Sequence, residues 1–127
     1  MNSIRELVQD ELSQLTDINC GVAKPDGMVV EGETYFGYEL QETYVGEDFN
    51  KNYLMEIDLT GRLVRKVVPT ENTLQIVDNA LETIKNSLKS LNFKYTYNDI
   101  SDFTDGFIKI YFRGQCRYTE LNKNILL

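Results

Sequence analysis

One block of the sequence, from Tyr53 to Tyr118, changes its hydrophobic period twice. Apolar and polar residues first alternate, which is typical of a strand with one buried face. Apolar residues then recur at steps of three and four, the period of an amphipathic helix, before alternation returns. The apolar positions are Tyr53, Met55, Ile57 and Leu59, then Leu74, Val77, Leu81, Ile84, Leu88 and Leu91, then Ile108, Ile110, Phe112, Cys116 and Tyr118. The block predicts a strand, a long helix and a second long strand.

The sequence predicts two helices. Ser3 and Glu6 have the spacing of a capping box, and apolar residues then follow on one helical face as far as Leu15. The long helix spans about 72–91, with Thr70, Asn72 or Thr73 as its N-terminal cap and Asn92 as its stop.

Two further strands are predicted, one over 35–45 and one that begins with Phe93, Tyr95 and Tyr97. Residues 35–45 alternate, and they are expected to form a hairpin with residues 53–68, which are either one long, bent strand or two strands at a turn. Gly61 interrupts that long strand, which suggests a bulge or a bend. The predicted fold is therefore α+β, a mostly antiparallel sheet with the N-terminal helix and the long helix packed on it.

The C-terminal third also contains segments with turn composition. Residues 98–106 are rich in Asn, Asp and Ser and predict a link between strands. The tail at about 122–127 is expected to be flexible.

The length of 127 residues predicts a single domain over 1–127, large enough for one core. The apolar runs are too short to span a membrane, and the N-terminus lacks the pattern of a secretory signal.

The charge of the chain is unevenly distributed. Residues 1–60 carry 13 acidic and 3 basic side chains, a balance of −10, and residues 61–127 carry 7 and 10, a balance of +3, which together give the net charge of −7. An acidic side and a more basic side could attract each other head to tail between copies of the chain. Solvated charges spread over the surface are the alternative. A net negative charge disfavours nonspecific binding of nucleic acid.

The residue types that support catalysis are missing or isolated. The chain has no histidine, so neither a serine nor a cysteine nucleophile has its usual base. Cys20 and Cys116 are expected to be buried free thiols that pack as small hydrophobic residues. The acids Asp99, Asp102 and Asp105 are typical of turns and do not have the spacing of a calcium loop. The sequence therefore predicts a protein that is not an enzyme and has no catalytic residue, cofactor or metal.

The last strand has a mixed outer face, formed by Phe107, Lys109, Tyr111, Arg113, Gln115 and Arg117. Tyrosine and arginine are enriched in interface cores, so the pattern favours packing against another chain. A sheet that stacks the bases of RNA is the alternative interpretation.

The order of the elements and the aromatic residues in the strands resemble those of one protein family. The segments that carry the resemblance are Tyr35 to Leu40, Tyr53 to Val64, Phe93 to Tyr95 and Arg113 to Tyr118, in a chain that matches from about Ile4 to Tyr118. This sequence resembles the tail terminator, or tail completion, proteins of long-tailed bacteriophages and prophages.

The resemblance implies a structural role in head–tail joining. In that family the subunits form a hexameric ring that caps the tail tube, ends its polymerisation and provides the docking surface for the head connector. The implied partners are other copies of the chain, the tail tube protein and head connector proteins, with no membrane and no specific nucleic acid. The chain would assemble in the bacterial host cytoplasm, where it can be a monomer in solution, and would end in the neck of the virion.

The predicted ring contact pairs acids near the hairpin loop of one copy with cations of the next copy. The predicted interface residues are Glu42, Glu47 and Asp48 on one side, Arg62, Arg65 and Lys66 on the other, and Tyr111, Arg113 and Arg117 on the last strand. The alternative function is a small protein- or ligand-binding module that uses its sheet face.

Overall fold

Two helices and seven strands make up the described part of the chain. The computed structural model describes residues 4–47, 49–50, 52–95, 100–104, 106–119 and 125–126, and in 100–104 and 125–126 it describes the backbone alone. The helices are α1 (Ile4–Ser13) and α2 (Thr73–Ser87). The strands are β1 (Asn19–Gly21), β2 (Thr34–Glu47), β3 (Tyr53–Lys66), β4 (Lys94–Tyr95), β5 (Ile100–Thr104), β6 (Phe107–Thr119) and β7 (Ile125–Leu126).

The strands form one sheet with the order β1-β2-β3-β6-β4. The three long strands β2, β3 and β6 are antiparallel neighbours, and β1 pairs in parallel with β2. The outer edge of β6 carries three short antiparallel strands in succession, with β5 opposite Phe107 to Tyr111, β4 opposite Gly114 to Gln115 and β7 opposite Arg117 to Tyr118. The predicted α+β fold with a mostly antiparallel sheet is confirmed.

The core lies between the helices and one face of the sheet. Alternate residues of the long strands point toward the helices and are buried, among them Phe36, Leu59 and Ile110. α2 contacts β3 and β6, whereas α1 contacts α2 and β1. The apolar stripe of α2 is buried as predicted, except that Leu74 in its first turn is 39% exposed.

The predicted cap and stop of the long helix are confirmed, whereas its last turn and the end of α1 differ from the prediction. Asn72 caps α2, since its side-chain oxygen accepts a hydrogen bond of 3.2 Å from the backbone N–H of Gln75. The α-helix then ends at Ser87, and the predicted last turn is a 3-10 turn over Lys89–Leu91. Asn92 closes that turn in the left-handed conformation, with φ of 59°. At the other end of the chain, α1 stops at Ser13 before the predicted Leu15, and its predicted cap, Ser3, lies outside the described residues.

The bulge expected at Gly61 occurs elsewhere. The pairing of β3 with β2 is continuous through Gly61, and the register shifts instead between Tyr44 and Gly46, so that Val45 is the extra residue. No bulge is present at Gly61. Glycine is needed there for a different reason, because the ring of Phe36 occupies the space that a Cβ atom would need.

One predicted link is a strand. The segment Ile100–Thr104 has turn composition, yet it pairs with Phe107 to Tyr111 of β6, where the edge of a long strand supplies backbone partners for it. In the tail, Ile125–Leu126 likewise pair with β6, so this part of the segment expected to be flexible is a strand. Tertiary pairing has overridden local composition in both places.

The connection between β1 and β2 crosses the sheet face that faces away from the helices. It includes a 3-10 turn at Asp26–Met28. Ala23 lies so close above β2 that a Cβ atom at Gly37 would approach the Ala23 Cα to 2.7 Å. This crossing segment places Asp26 against Arg62 of β3 and Lys109 of β6. The neighbouring part of that face carries the polar residues Glu56, Asp58, Thr60, Arg113, Gln115 and Arg117.

Candidate interaction surfaces

The loop end of the β2–β3 hairpin exposes a group of aromatic, apolar and acidic side chains. We call it the hairpin end, and it comprises Tyr44, Val45, Glu47, Phe49 and Tyr53. The rings of Tyr44 and Tyr53 meet edge to face with centroids 5.6 Å apart, and both are more than half exposed. The ring of Phe49 is fully exposed. Clustered exposed aromatic rings mark surfaces that other proteins cover.

The predicted acids near this loop have different surroundings. Glu47 belongs to the hairpin end and is exposed, whereas Asp48 lies outside the described residues. Glu42 lies further along β2, where its carboxylate accepts a hydrogen bond of 2.8 Å from the hydroxyl of Tyr118. The guanidinium of Arg5 lies 3.8 Å from the same carboxylate.

Lys66 lies at the opposite end of the same pair of strands. Glu47 pairs with the first residue of β3, and Lys66 is its last residue, opposite Phe107 on β6. Thirteen steps along a strand separate the two ends of β3, which places them roughly 40 Å apart. Lys66 and its neighbour Val67 are exposed. The acidic hairpin end and an exposed cation therefore lie at opposite ends of the sheet.

Arg65 uses its guanidinium inside the chain. It makes two hydrogen bonds of 3.0 Å to the carboxylate of Glu71, one of 2.7 Å to the hydroxyl of Thr34 and one of 3.0 Å to the carbonyl of Gly32. The hydrogen bond from Arg65 lowers the pKa of Glu71. This network joins β2, β3 and the segment that leads into α2, so the predicted interface residue Arg65 acts as an internal connector.

Arg62 also has partners within the chain. Asp26 lies 2.7 Å from Nη1 of Arg62 and 2.7 Å from Nζ of Lys109, and a second Arg62 nitrogen donates to the carbonyl of Lys24. The hydrogen bond from Lys109, together with the charge of Arg62, lowers the pKa of Asp26 although partial burial opposes the shift. The crossing segment is thereby fixed to β3 and β6.

The outer face of β6 is a balanced ladder of charges. Arg113 lies 3.2 Å from Asp58, which also accepts a hydrogen bond of 2.7 Å from Gln115. Arg117 lies 3.4 Å from Glu56, its direct neighbour across the strands. Tyr111 is 39% exposed, whereas Lys109, expected on the solvated face, is buried beneath the crossing segment. The carboxylates of β3 offset the positive charge that a nucleic-acid surface would need.

Part of the uneven charge of the sequence is thus balanced by ion pairs within the subunit. The ion pairs Asp26–Arg62, Asp26–Lys109, Glu56–Arg117 and Asp58–Arg113 each join an acid of the first 60 residues to a cation of the remainder. Attraction between the two halves of the sequence therefore helps to hold the folded chain together. It leaves fewer unbalanced charges for contacts between copies than the sequence implies.

Both thiols are free, as the sequence predicts. Burial raises the pKa of Cys20 to about 11, and burial together with the nearby charge of Glu56 raises the pKa of Cys116 to about 12. A thiol with such a pKa is almost entirely protonated at neutral pH and is a poor nucleophile. Cys116 belongs to the core, whereas Cys20 is half-buried at the sheet edge.

A groove beside the outer edge of β2 was missed by the sequence interpretation. β1 pairs with Tyr35 to Gly37 only, and the described residues place no other strand along this edge from Tyr38 to Tyr44, which we call the open edge. The groove has a volume of about 790 Å³ and is lined by residues of α1, β1 and β2 and by the segment between α1 and β1. Composition could have indicated it, because β2 contains no Lys, Arg or Pro, the residues that usually protect a strand edge.

Neither a metal centre nor a spanning helix is found in the described part of the chain. No group of three or more Cys, Asp or Glu side chains there is arranged to hold a metal ion. None of the helices described is long and apolar enough to cross a membrane. Comparison with protein-family models and with curated proteins finds no match for this chain.

Proposed function

We propose that this chain is a structural phage assembly protein that forms a ring, caps the tail tube and provides the docking surface for the head connector. The observation that carries the proposal is the placement of two unlike exposed surfaces at opposite ends of the long strands. The hairpin end is aromatic and acidic, and the far end presents Lys66 and Val67. Two different surfaces on one subunit form a head-to-tail contact, which gives a closed ring where the rotation between successive copies closes and an open filament where it does not.

The internal contacts of two predicted interface cations reduce the number of residues that are available for contacts between copies. Arg62 and Arg65 are engaged within the subunit, so in the proposed contact Glu47 of one copy faces Lys66 of the next. Val67 gives the aromatic rings of the hairpin end an apolar partner. Arg113 and Arg117 are paired with carboxylates, so this part of the outer face of β6 is polar and has no net charge. Together with Tyr111 it suits a protein partner better than the phosphate backbone of a nucleic acid.

The proposed mechanism is geometric. One face of the ring matches the end of the tail tube, and the other face does not template a further layer of tube. Polymerisation therefore stops where the ring binds, and the free face is available to the connector. In this proposal the chain is not an enzyme and requires no cofactor.

Assembly of purified variants tests the proposal. Light scattering after size-exclusion chromatography, with negative-stain microscopy, would measure ring formation by the chain alone and with the tail tube protein that the proposal expects a neighbouring gene to encode. We expect rings, shorter tubes in the presence of the chain, and weaker assembly in the variants Lys66→Glu and Glu47→Lys. Combining the two changes should restore assembly, because the charges are exchanged and not lost.

Lys89→Glu is the matched control for the loss of a cation, since Lys89 is exposed in the 3-10 turn that follows α2 and belongs to neither proposed surface. A chain that remains monomeric with and without the tube protein, and leaves tube length unchanged, would refute the proposed function. A gene neighbourhood without tube and connector genes would also contradict it.

A second candidate function is a small protein-binding module. The groove beside the open edge favours it, because concave, partly apolar sites of this size are typical of binding surfaces. A monomeric chain that binds a partner at this groove would support the module in place of the ring.

A further inference from the structure

We propose that the open edge of β2 binds an extended segment of a different protein as an added strand, and that this segment alternates apolar and basic residues. The inference goes beyond the ring and does not depend on it. Strand addition to a free sheet edge is a common mode of peptide recognition, in which backbone hydrogen bonds supply affinity and alternate side chains supply specificity.

The backbone of the open edge is available for such pairing. β1 stops opposite Gly37, and the bulge at Val45 ends the regular strand, so seven residues from Tyr38 to Tyr44 remain. They span about 24 Å, the length of a seven-residue strand. Arg5 from α1 donates a hydrogen bond of 3.0 Å to the carbonyl of Leu40, where the N–H of a neighbouring strand would donate. The Arg5 side chain thus occupies a hydrogen-bonding position that the backbone of an added strand would occupy in its place.

The two sides of the open edge select an alternating segment. On the helix side, an added strand would project side chains into the groove, which is lined by Leu12, Leu15 and Leu40. On the other side its residues would lie beside Glu39, Gln41 and Thr43, all exposed on the polar sheet face. Successive strand residues point to opposite faces, so apolar residues suit one side and polar residues the other.

The charge of β2 specifies basic residues. On the polar side of the open edge β2 carries Glu39, and β2 has no lysine or arginine, whereas Glu42 lies on the helix side beside Arg5 and Tyr118. Opposite charges directly across a strand pair are stabilising, and like charges are destabilising. Lysine or arginine at the polar positions of the added strand would therefore be favoured.

The same features argue against a second copy of this chain as the occupant. Pairing β2 with the β2 of another copy would set acidic strands side by side. The other long outer edge, that of β6, is occupied by β5, β4 and β7. Neither described edge of another copy offers a long basic strand, which leaves a segment of a different protein.

A synthetic peptide provides a direct probe. An eight-residue peptide of alternating valine and lysine, labelled with fluorescein, would be titrated with the full chain and followed by fluorescence anisotropy. Its controls are a peptide of the same composition in two blocks and an alternating peptide methylated at every second backbone nitrogen. We expect both controls to bind about tenfold more weakly, because the first loses side-chain alternation and the second loses the backbone ladder.

Variants of the chain localise the binding. Glu39→Lys combined with Gln41→Lys should weaken binding of the alternating peptide about tenfold, since both new cations flank the added strand. Glu31→Lys replaces an acid by a cation at an exposed turn outside the open edge and should leave binding within about twofold. Cys20 lines the groove, so the bound peptide should also slow its alkylation.

Equal binding of the alternating and block peptides would overturn the proposal, because it would show charge attraction without a strand. No binding of the alternating peptide would overturn it too. Dimers seen by sedimentation that dissociate more readily in the Gln41→Lys variant would identify a second copy as the occupant and contradict the choice of partner.

Discussion

The ring of Phe36 on β2 occupies the space above Gly61 on β3 that the side chain of any larger residue would fill. Phe36 is fully buried and stacks on Phe112, with ring centroids 5.3 Å apart and planes inclined by 2°. On its other side it stacks on Tyr38 at 5.5 Å. Gly61 therefore allows a layer of three aromatic rings to cross the middle of the sheet.

Substitution of Gly61 by alanine should destabilise the fold. The new methyl group would collide with the Phe36 ring and force it out of the aromatic stack, which is expected to lower the free energy of unfolding by about 1–3 kcal/mol. Urea unfolding followed by circular dichroism measures the change. Gly27→Ala is the control, because a Cβ atom there meets nothing within 4 Å. Equal stability of the two variants would show that the ring moves aside at little cost.

The network of Arg65 should contribute strongly to stability. Arg65→Gln removes a side chain that is only 11% exposed and takes a hydrogen-bond donor from the buried hydroxyl of Thr34, and the expected loss is about 1–3 kcal/mol in the free energy of unfolding. The neighbouring Lys66→Gln should change stability by less than about 0.5 kcal/mol, since Lys66 is exposed. The same urea measurement compares them. If Arg65→Gln were as stable as Lys66→Gln, Arg65 would again be a candidate for contacts between subunits.

Asp26 should make stability depend on pH in the acidic range. Its pKa in the folded chain lies below the ordinary value of 3.8, so its ion pairs stabilise the fold fully above that value and are lost as the pH falls through the lowered pKa. Asp26→Asn removes the charge that pairs with Arg62 and Lys109. At pH 7 it should cost about 1–3 kcal/mol.

The difference between wild type and Asp26→Asn should shrink as the pH falls below about 4. Urea unfolding at a series of pH values measures it. Asp78→Asn on the exposed side of α2 is the control and should remain close to wild type at pH 7. A difference between wild type and Asp26→Asn that stayed constant from pH 7 to pH 2 would contradict the role given to this carboxylate.

The two thiols should react slowly and in a fixed order. Burial raises the pKa of Cys20 from 9.0 to about 11, which lowers its thiolate fraction about a hundredfold relative to the unfolded chain. Cys20 should therefore react slowly with a disulfide reagent at pH 8, and Cys116 only when the chain unfolds. Absorbance at 412 nm in the wild type and in Cys20→Ser distinguishes them. Rapid reaction of Cys116 in native buffer would show that β6 opens locally.

The sequence predicted the elements whose periodicity is long and regular. α2 and the strands β2, β3 and β6 each contain repeated apolar positions, and their type and order agree with the structure. The short strands Ile100–Thr104 and Ile125–Leu126 were not predicted, because they contain too few residues for a hydrophobic period to be visible. Their pairing with β6 depends on an edge that exists only after the long strands have assembled.

The same difference between what local periodicity predicts and what tertiary contacts decide applies to the interaction surfaces. Periodicity alone determined that Tyr111, Arg113 and Arg117 share the outer face of β6, since alternate residues of a strand always point the same way. Only the tertiary structure decided that Arg62 and Arg65 have partners within the chain and that the edge of β2 is open from Tyr38 to Tyr44. Ion pairs and strand neighbours join residues far apart in sequence, so local pattern carries no information about which of them meet.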